Sequence, residues 1–236
     1  MKYYFIRHST DLGEIGTFSQ IQKAHYKPIN KGEQRISELF FTKSYKKVVT
    51  PVGVVHGKAK LTDLMSATGQ GFTLGLLISD RLKEILEKYE PKYIEFFEAS
   101  VLKRRKEFKN YWLVNGYNAS LYCVDFNKTV FEYKEFTNNV SNKVEVFCED
   151  FQEFDKIHSK HLAEKNILGA IKIKRLFVRT GFNDHFFMLR HVEGGLGFLV
   201  SEQVKKDIER FGCTGIRFQP TEISFSEWNQ QQIATN

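Results

Sequence analysis

The chain has little of what staples small or metal-bound folds. Its three cysteines, Cys123, Cys148 and Cys213, are odd in number and far apart in 236 residues. That excludes a disulfide framework and a CxxC metal knuckle, and leaves three small apolar side chains expected inside the core. There are four prolines and no stretch dense in Pro, Gly or Ser. Without a linker signal, residues 1–236 read as a single domain. Long apolar runs are missing as well: none approaches the roughly 18 residues of a bilayer-spanning helix. The opening MKYYFIRHST offers only Tyr-Tyr-Phe-Ile before Arg7, too short for a secretory segment. The expected location is the cytoplasm, with no membrane partner. What the chain has in quantity is ring surface, 22 Phe within a hydrophobic content of 42%, which excludes a disordered polymer. The formal charge of +7 and a pI near 9.1 favour an acidic partner, whether a protein surface or a nucleic acid.

One segment recurs. LGLLISDRLKEILEKY from Leu74 to Tyr89 is echoed by LGFLVSEQVKKDIERF from Leu196 to Phe211, each residue displaced by 122 positions, as from Ser79 to Ser201. Gly75/Gly197, Leu77/Leu199, Lys83/Lys205 and Glu87/Glu209 are identical, and Ile78/Val200, Asp80/Glu202 and Leu86/Ile208 keep size and polarity. Each copy reads as a short buried strand that meets a Ser able to cap a helix, with an acid in the first turn. Leu82, Ile85, Leu86 and Tyr89 form an apolar stripe in the first helix, and Val204, Ile208 and Phe211 a thinner one in the second. Pro91 and Gly212 are suited to stop them. A further strand follows each helix, Tyr93 to Phe96 and Gly215 to Phe218. The expected fold is α+β: two repeated strand-helix-strand units, at about 61–97 and 183–219, on a mixed sheet core with additional β-hairpins.

Elsewhere Tyr3 to Ile6 reads as an opening strand, and Leu39 to Phe41 and Val48 to Val55 as strand fragments. Ile94 to Phe97 and Tyr111 to Val114 flank the charged stretch Lys103 to Glu107 as a hairpin. Leu121 to Phe126 and Thr129 to Tyr133, joined by Asn127-Lys128, suggest a second hairpin. Asp150 to Ile157 has helical spacing. Ile171 to Val178 alternates, which sets Lys172 and Lys174 on a wet face. Residues 221–236, rich in Gln and Asn, read as a loose tail.

Four motifs invite chemistry. FIRHST, with Arg7 and His8, resembles the Arg-His-Gly strand of histidine phosphatases, and His56 their second histidine. Ser9 stands where Gly is usual, and 48 residues separate His8 from His56, too few for the intervening α/β chain. Gly194-Gly195-Leu196-Gly197 precedes a strand, whereas a phosphate cradle follows one. His158, His161 and Glu164 lack the convergent partners of a zinc site. Lys103 to Lys106 beside Phe108, Tyr111 and Trp112 combine charge and rings as nucleic-acid surfaces do, and equally as a solvated hairpin tip does.

A broader likeness rests on KAKLTDLMS (Lys58 to Ser66), LGLLISDRLKEILEKY, the strand Tyr111-Trp112-Leu113 and the block GFLVSEQVKKDIERFGCTGIRFQP. Across about residues 55–220 the chain resembles immunity-protein family eleven of bacterial polymorphic toxin systems. The resemblance implies a cytoplasmic protein that binds and neutralises a cognate toxin in bacterial competition. It carries over no catalytic residue, cofactor or metal, so no enzyme is expected. Arg104, Arg105, Tyr111 and Trp112 are the candidate partner-binding residues, facing a toxin with an acidic surface. A nucleic-acid-binding module is the alternative, and a phosphatase-like enzyme comes after it.

Overall fold

In the computed structural model the described residues are all of 1–236 except 40, 68–74, 119, 138–139, 164–170, 194 and 235–236. Leu74, Glu164 and Gly194, named above, therefore lie outside the described residues. The chain runs β1 (Tyr3–His8), α1 (Leu12–Ile15), β2 (Ile21–His25), β3 (Glu33–Arg35), β4 (Lys47–Val49), β5 (Val52–Val55), β6 (Leu64–Met65) and β7 (Leu77–Ser79). It continues with α2 (Asp80–Glu87), β8 (Ile94–Lys103), β9 (Lys106–Gly116), β10 (Val130–Thr137), β11 (Val140–Val146) and α3 (Phe151–Ala163). Last come β12 (Lys172–Arg175), β13 (Phe186–Val192), β14 (Gly195–Ser201), α4 (Glu202–Arg210), β15 (Ile216–Pro220) and α5 (Phe225–Ala234). The fold is mixed α+β. Seven strands form one sheet in the order β11-β10-β12-β13-β14-β1-β15, and six form another in the order β2-β5-β8-β9-β7-β6. Each is mixed, with a parallel pair at β12–β13 or β5–β8.

The two echoed segments fall in different sheets, yet their surroundings match position by position. Ser79 caps α2 by accepting from the amide of Leu82, and Ser201 caps α4 by accepting from Val204. The Ser79 amide donates to Asp63 O at 2.8 Å and the Ser201 amide to His185 O at 2.9 Å, which are themselves 122 residues apart. Leu64 pairs with Ile78 as Phe186 pairs with Val200. Lys83 lies 4.3 Å from the Trp112 ring and 5.6 Å from Phe96; Lys205 lies 5.2 Å from Tyr4 and 5.6 Å from Phe218. Thus β9 between β7 and β8 has its counterpart in β1 between β14 and β15. One central strand follows its unit; the other opens the chain. Descent from a duplicated segment is our inference from these correspondences.

The helices pack against one another over a shared core. Leu82, Ile85 and Leu86 meet Val204 and Ile208, with Ile78, Val114, Phe186, Met188 and Val200 beneath. Phe211, expected on this stripe, is instead 44% exposed beside Lys88 and Arg210. A second core, under the seven-stranded sheet, is built of rings: Phe131, Phe154, Phe182 and Phe187 with Tyr3 and Phe5. A third, on the far face of the six-stranded sheet, gathers Ile21, Val55, Met65, Leu77, Tyr111 and Leu113.

Several local expectations give way to tertiary pairing. The expected hairpin of β8 and β9 forms, with Phe96 opposite Val114 and Phe97 opposite Leu113. Leu121 to Phe126 does not form a strand beyond the isolated bridge of Val124 with Val178, and β10 pairs instead with β11 and β12. Ile36–Glu38 is a 3-10 turn, and of the expected strand fragment Leu39 to Phe41 the two described residues, Leu39 and Phe41, lie in no strand. Lys172 and Lys174 are half-buried, because both reach the buried Glu132, at 3.2 and 3.8 Å. Residues 225–234 are helical and bury Trp228, so most of the expected tail is docked. Arg175 holds Glu227 in an ion pair there, and that pairing, with Ser224, draws the Glu227 carboxyl down to about 2. Cys123 and Cys148 are buried as expected, whereas Cys213 is only partly so.

Candidate functional site

The residues singled out for partner binding occupy one hairpin but different environments. Strand alternation turns Tyr111 toward the inner face, where it is 3% exposed and donates to the carbonyl of Thr62 at 3.1 Å. Burial pushes its hydroxyl well above the ordinary tyrosine value. Tyr111 is spent inside the fold. Trp112 faces the other way and is half-buried, its Nε1 donating to Asp80 and its ring under the Lys83 ammonium. Arg104 and Arg105 form the tip, both exposed, between the paired Lys103 and Lys106. Their φ angles are 49° and 68°, the left-handed region that a two-residue hairpin loop requires and that Asn or Gly fill at less cost. Four successive cations thus stand on a turn whose backbone prefers other residues. At about 3.4 Å per strand residue, seven residues separate Arg105 from Trp112 by roughly 24 Å. The tip and the tryptophan are two ends of one surface.

Between those ends lies a groove of about 730 Å³. Its floor is the outward face of β8, with Phe96, Glu98 and Ser100, flanked by Trp112, Lys109 and Glu107 of β9. The opposite wall is formed by Val48, Val49 and Thr50 together with Lys27, Pro28 and Asn30. Helix α2 covers the neighbouring part of this face, through Lys83 on Phe96 and Trp112, and leaves the β5–β8 part open. In the wall Glu33 is held below the usual carboxylate range by its hydrogen bond from Lys47, at 2.7 Å. Sequence reading missed this wall, because residues 27–50 show no period that would place them across from β8. The alternation Phe96, Glu98, Ser100 was the one available signal for the floor.

The phosphatase-like residues are engaged by the fold. The guanidinium of Arg7 donates to Gln219 Oε1 at 2.8 Å and to Glu193 at 2.7 Å, and packs on Phe5 and Phe225. His8 is pushed down to about 4, chiefly by burial, with a hydrogen bond to the Met65 backbone opposing. His56 lies on the other sheet, after β5, and its Nδ1 accepts from the Lys58 amide. His158 packs between Phe154 and His191 in the ring-rich core. Gly197 sits in β14, where an added Cβ would lie 3.0 Å from the Phe5 ring, the close strand packing expected of this glycine-rich stretch.

A different polar centre ties the molecule together. Asp63, 5% exposed, accepts from Ser79 Oγ at 2.6 Å, Arg81 Nε at 3.0 Å and the Thr214 amide at 2.8 Å. Burial alone would raise its pKa, but the hydrogen bonds from Arg81, Ser79 and Thr214 outweigh it and hold the carboxylate ionised. Next to Thr214, Gly215 has φ +79°, and a Cβ there would lie 2.3 Å from Leu64 O. This cluster is structural cross-bracing, joining the β6, β7 and β15 approaches. Among the described residues no helix is long and apolar enough to cross a membrane.

The arrangement is an aromatic-floored groove beside a hairpin with a cationic tip. Comparison with curated proteins finds no match. The model of the immunity protein family Imm11 matches residues 33–222, beginning earlier than the likeness read from motifs alone, and the chain belongs to that family.

Proposed function

We propose that this protein binds and neutralises a cognate toxin by direct contact, without catalysis of its own, and that the β8–β9 hairpin with Arg104, Arg105 and Trp112 is part of the contact surface. Family membership across residues 33–222 is the observation that carries this reading. A neutralising protein needs a shaped, charged surface rather than a reactive group, and the hairpin supplies cations, a ring and an open groove. An acidic toxin surface is the expected complement. The cytoplasm of the producing cell is where such a protein would act.

The test begins with tagged full-length protein captured from the lysate of its own bacterium in moderate salt, with mass spectrometry of the bound fraction. A stoichiometric partner that kills cells when expressed alone, and is silenced by co-expression with this chain, is the expected result. Replacing Arg104 and Arg105 by Ala should then weaken the complex by about tenfold or more, since tips of paired charge carry about 1–2 kcal/mol of binding. Steeply salt-dependent retention of generic DNA or RNA, with no such protein, would move the assignment to the nucleic-acid reading.

A further inference from the structure

We infer that the groove beside β8 receives an extended segment of the toxin as an added strand, held by the main chain of Phe96 and Glu98. The inference rests on the neutralisation reading above and specifies its contact.

Strand β8 is paired along its length on one side only. β9 runs beside it from Ile94 to Lys103, with a bulge between Ala99 and Val101, whereas β5 pairs with it only from Ser100 to Leu102. Alternation along a strand tells which main-chain groups are left over. The Val114 amide donates to Leu76 O at 2.9 Å, so Val114 turns its polar groups toward the β7 side, and its neighbours Leu113 and Asn115 turn theirs toward Phe97 and Glu95 of β8. Phe96 and Glu98 therefore turn theirs away from β9. Glu98 O agrees with that direction, since it accepts from Thr50 Oγ1 on the β5 side at 2.7 Å. Among the described residues nothing pairs with the Phe96 amide, the Phe96 carbonyl or the Glu98 amide.

The chain's own strand turns off before reaching this edge. Carried upstream, the β5–β8 register sets Thr50 opposite Glu98 and calls for a bond from the amide of residue 51 to Glu98 O, but Pro51 has no N–H to give. The Thr50 hydroxyl takes that carbonyl instead, and β4, further upstream, pairs with β3 in a separate sheet. The chain forks there. Val48, Val49 and Thr50 line one side of the resulting groove and Phe96 to Ser100 the other.

An extended segment is the ligand that unpaired edge groups select, because it offers a donor and an acceptor at every second residue. The side chains suit one as well. Val48 packs toward the third core and Phe96 and Trp112 toward the core under α2, on opposite faces of the six-stranded sheet. A strand laid beside Phe96 to Ser100, about five residues or roughly 17 Å, sets alternate side chains against the valine and the rings. Three lysines (Lys27, Lys47, Lys109) and three glutamates (Glu33, Glu98, Glu107) line the groove, with Lys47 and Glu33 paired to each other. Neither sign prevails, so the fitting segment is apolar at alternate positions and weakly charged. A second copy of this chain is excluded by shape: its own edge is recessed behind the same wall of Lys27, Pro28 and Asn30, and only a protruding segment enters.

The experiment follows amide exchange by NMR in the full-length protein, alone and with the toxin domain purified from the capture described above. In the free protein the Phe96 and Glu98 amides should exchange about tenfold or more faster than those of Glu95 and Phe97, which β9 holds, and toxin should slow both by about tenfold or more. Glu98→Pro deletes one of these amides without touching the β9 ladder. It should weaken the complex about tenfold or more relative to Glu98→Ala, which keeps the amide. If the proline variant does not fold, exchange in the unaltered chain decides. Amides already slow in the free protein, exchange unchanged by toxin, or equal affinity of the two folded variants would each overturn the added strand while leaving neutralisation intact. Protection that grows with the concentration of the free protein would make a second copy the occupant and overturn the toxin segment. Recovery of nucleic acid in place of a toxin would remove the functional reading and the added strand with it.

Discussion

Asp63 is the residue whose loss the fold should feel most. Its carboxylate takes hydrogen bonds from the loop before β15 and from the start of α2, where Arg81 balances its charge from a half-exposed position. Truncation to Ala leaves those donors without an acceptor inside the protein, so Asp63→Ala should cost about 3 kcal/mol, read as a shifted denaturant midpoint. Its counterpart His185 meets the second cap Ser201 at 2.8 Å with no comparable ion pair, and His185→Ala should cost less than half as much. His8 and His191 set the acid limit. Both are pushed down to about 4, chiefly by burial, against an ordinary value of 6.5. Between those values the unfolded chain binds protons that the native state refuses, so stability rises with pH there. The melting temperature should fall as pH drops from 6.5 toward 4, the unfolding free energy losing up to about 1.4 kcal/mol per pH unit for each histidine. His8→Phe combined with His191→Phe should flatten that slope. Tyr111 shows how a residue type misleads: beside Trp112 on one strand, it points inward because alternation reverses every other side chain.

At the scale of elements, the β8–β9 tip separates stability from binding. Arg104 and Arg105 hold positive φ at a cost of about 1 kcal/mol each relative to residues suited to that loop. Arg104→Asn with Arg105→Gly should therefore raise the unfolding free energy by about 2 kcal/mol, read as a higher denaturant midpoint, while weakening toxin binding. If stability fell with binding, the cations would be structural. Helix α5 is the opposite case, an element whose composition concealed its role. Only Trp228 is buried among its large side chains with described exposure, and Glu227 is locked by Arg175 and Ser224. Trp228→Ala should cost about 3 kcal/mol, measured by thermal unfolding of the full chain. The capped helices α2 and α4 were legible because a cap, an acid in the first turn and a stripe act within one or two turns. The hairpin was legible because its strands are neighbours in sequence.

For the molecule as a whole, the decisive fact is that β1 lies between β14 and β15, antiparallel to both. Removing residues 1–8 withdraws the strand that joins them and buries Tyr3, Phe5 and Ile6, so cooperative unfolding should disappear from calorimetry of the shortened chain. Local pattern by itself determined the α+β class, the two Ser-capped helices, the 122-residue echo and the basic hairpin, because each depends on side chains a few residues apart or on direct repetition. The family likeness was equally legible, since it rides on those same segments. Only the tertiary structure decided which sheet each unit joins, that β10 pairs with β11 and β12, that α5 docks, and that Lys27, Pro28 and Val48 to Thr50 face β8 across a groove. Those outcomes depend on burying both faces of strands far apart in the chain, and a strand's own alternation says which side is apolar without saying what will cover it.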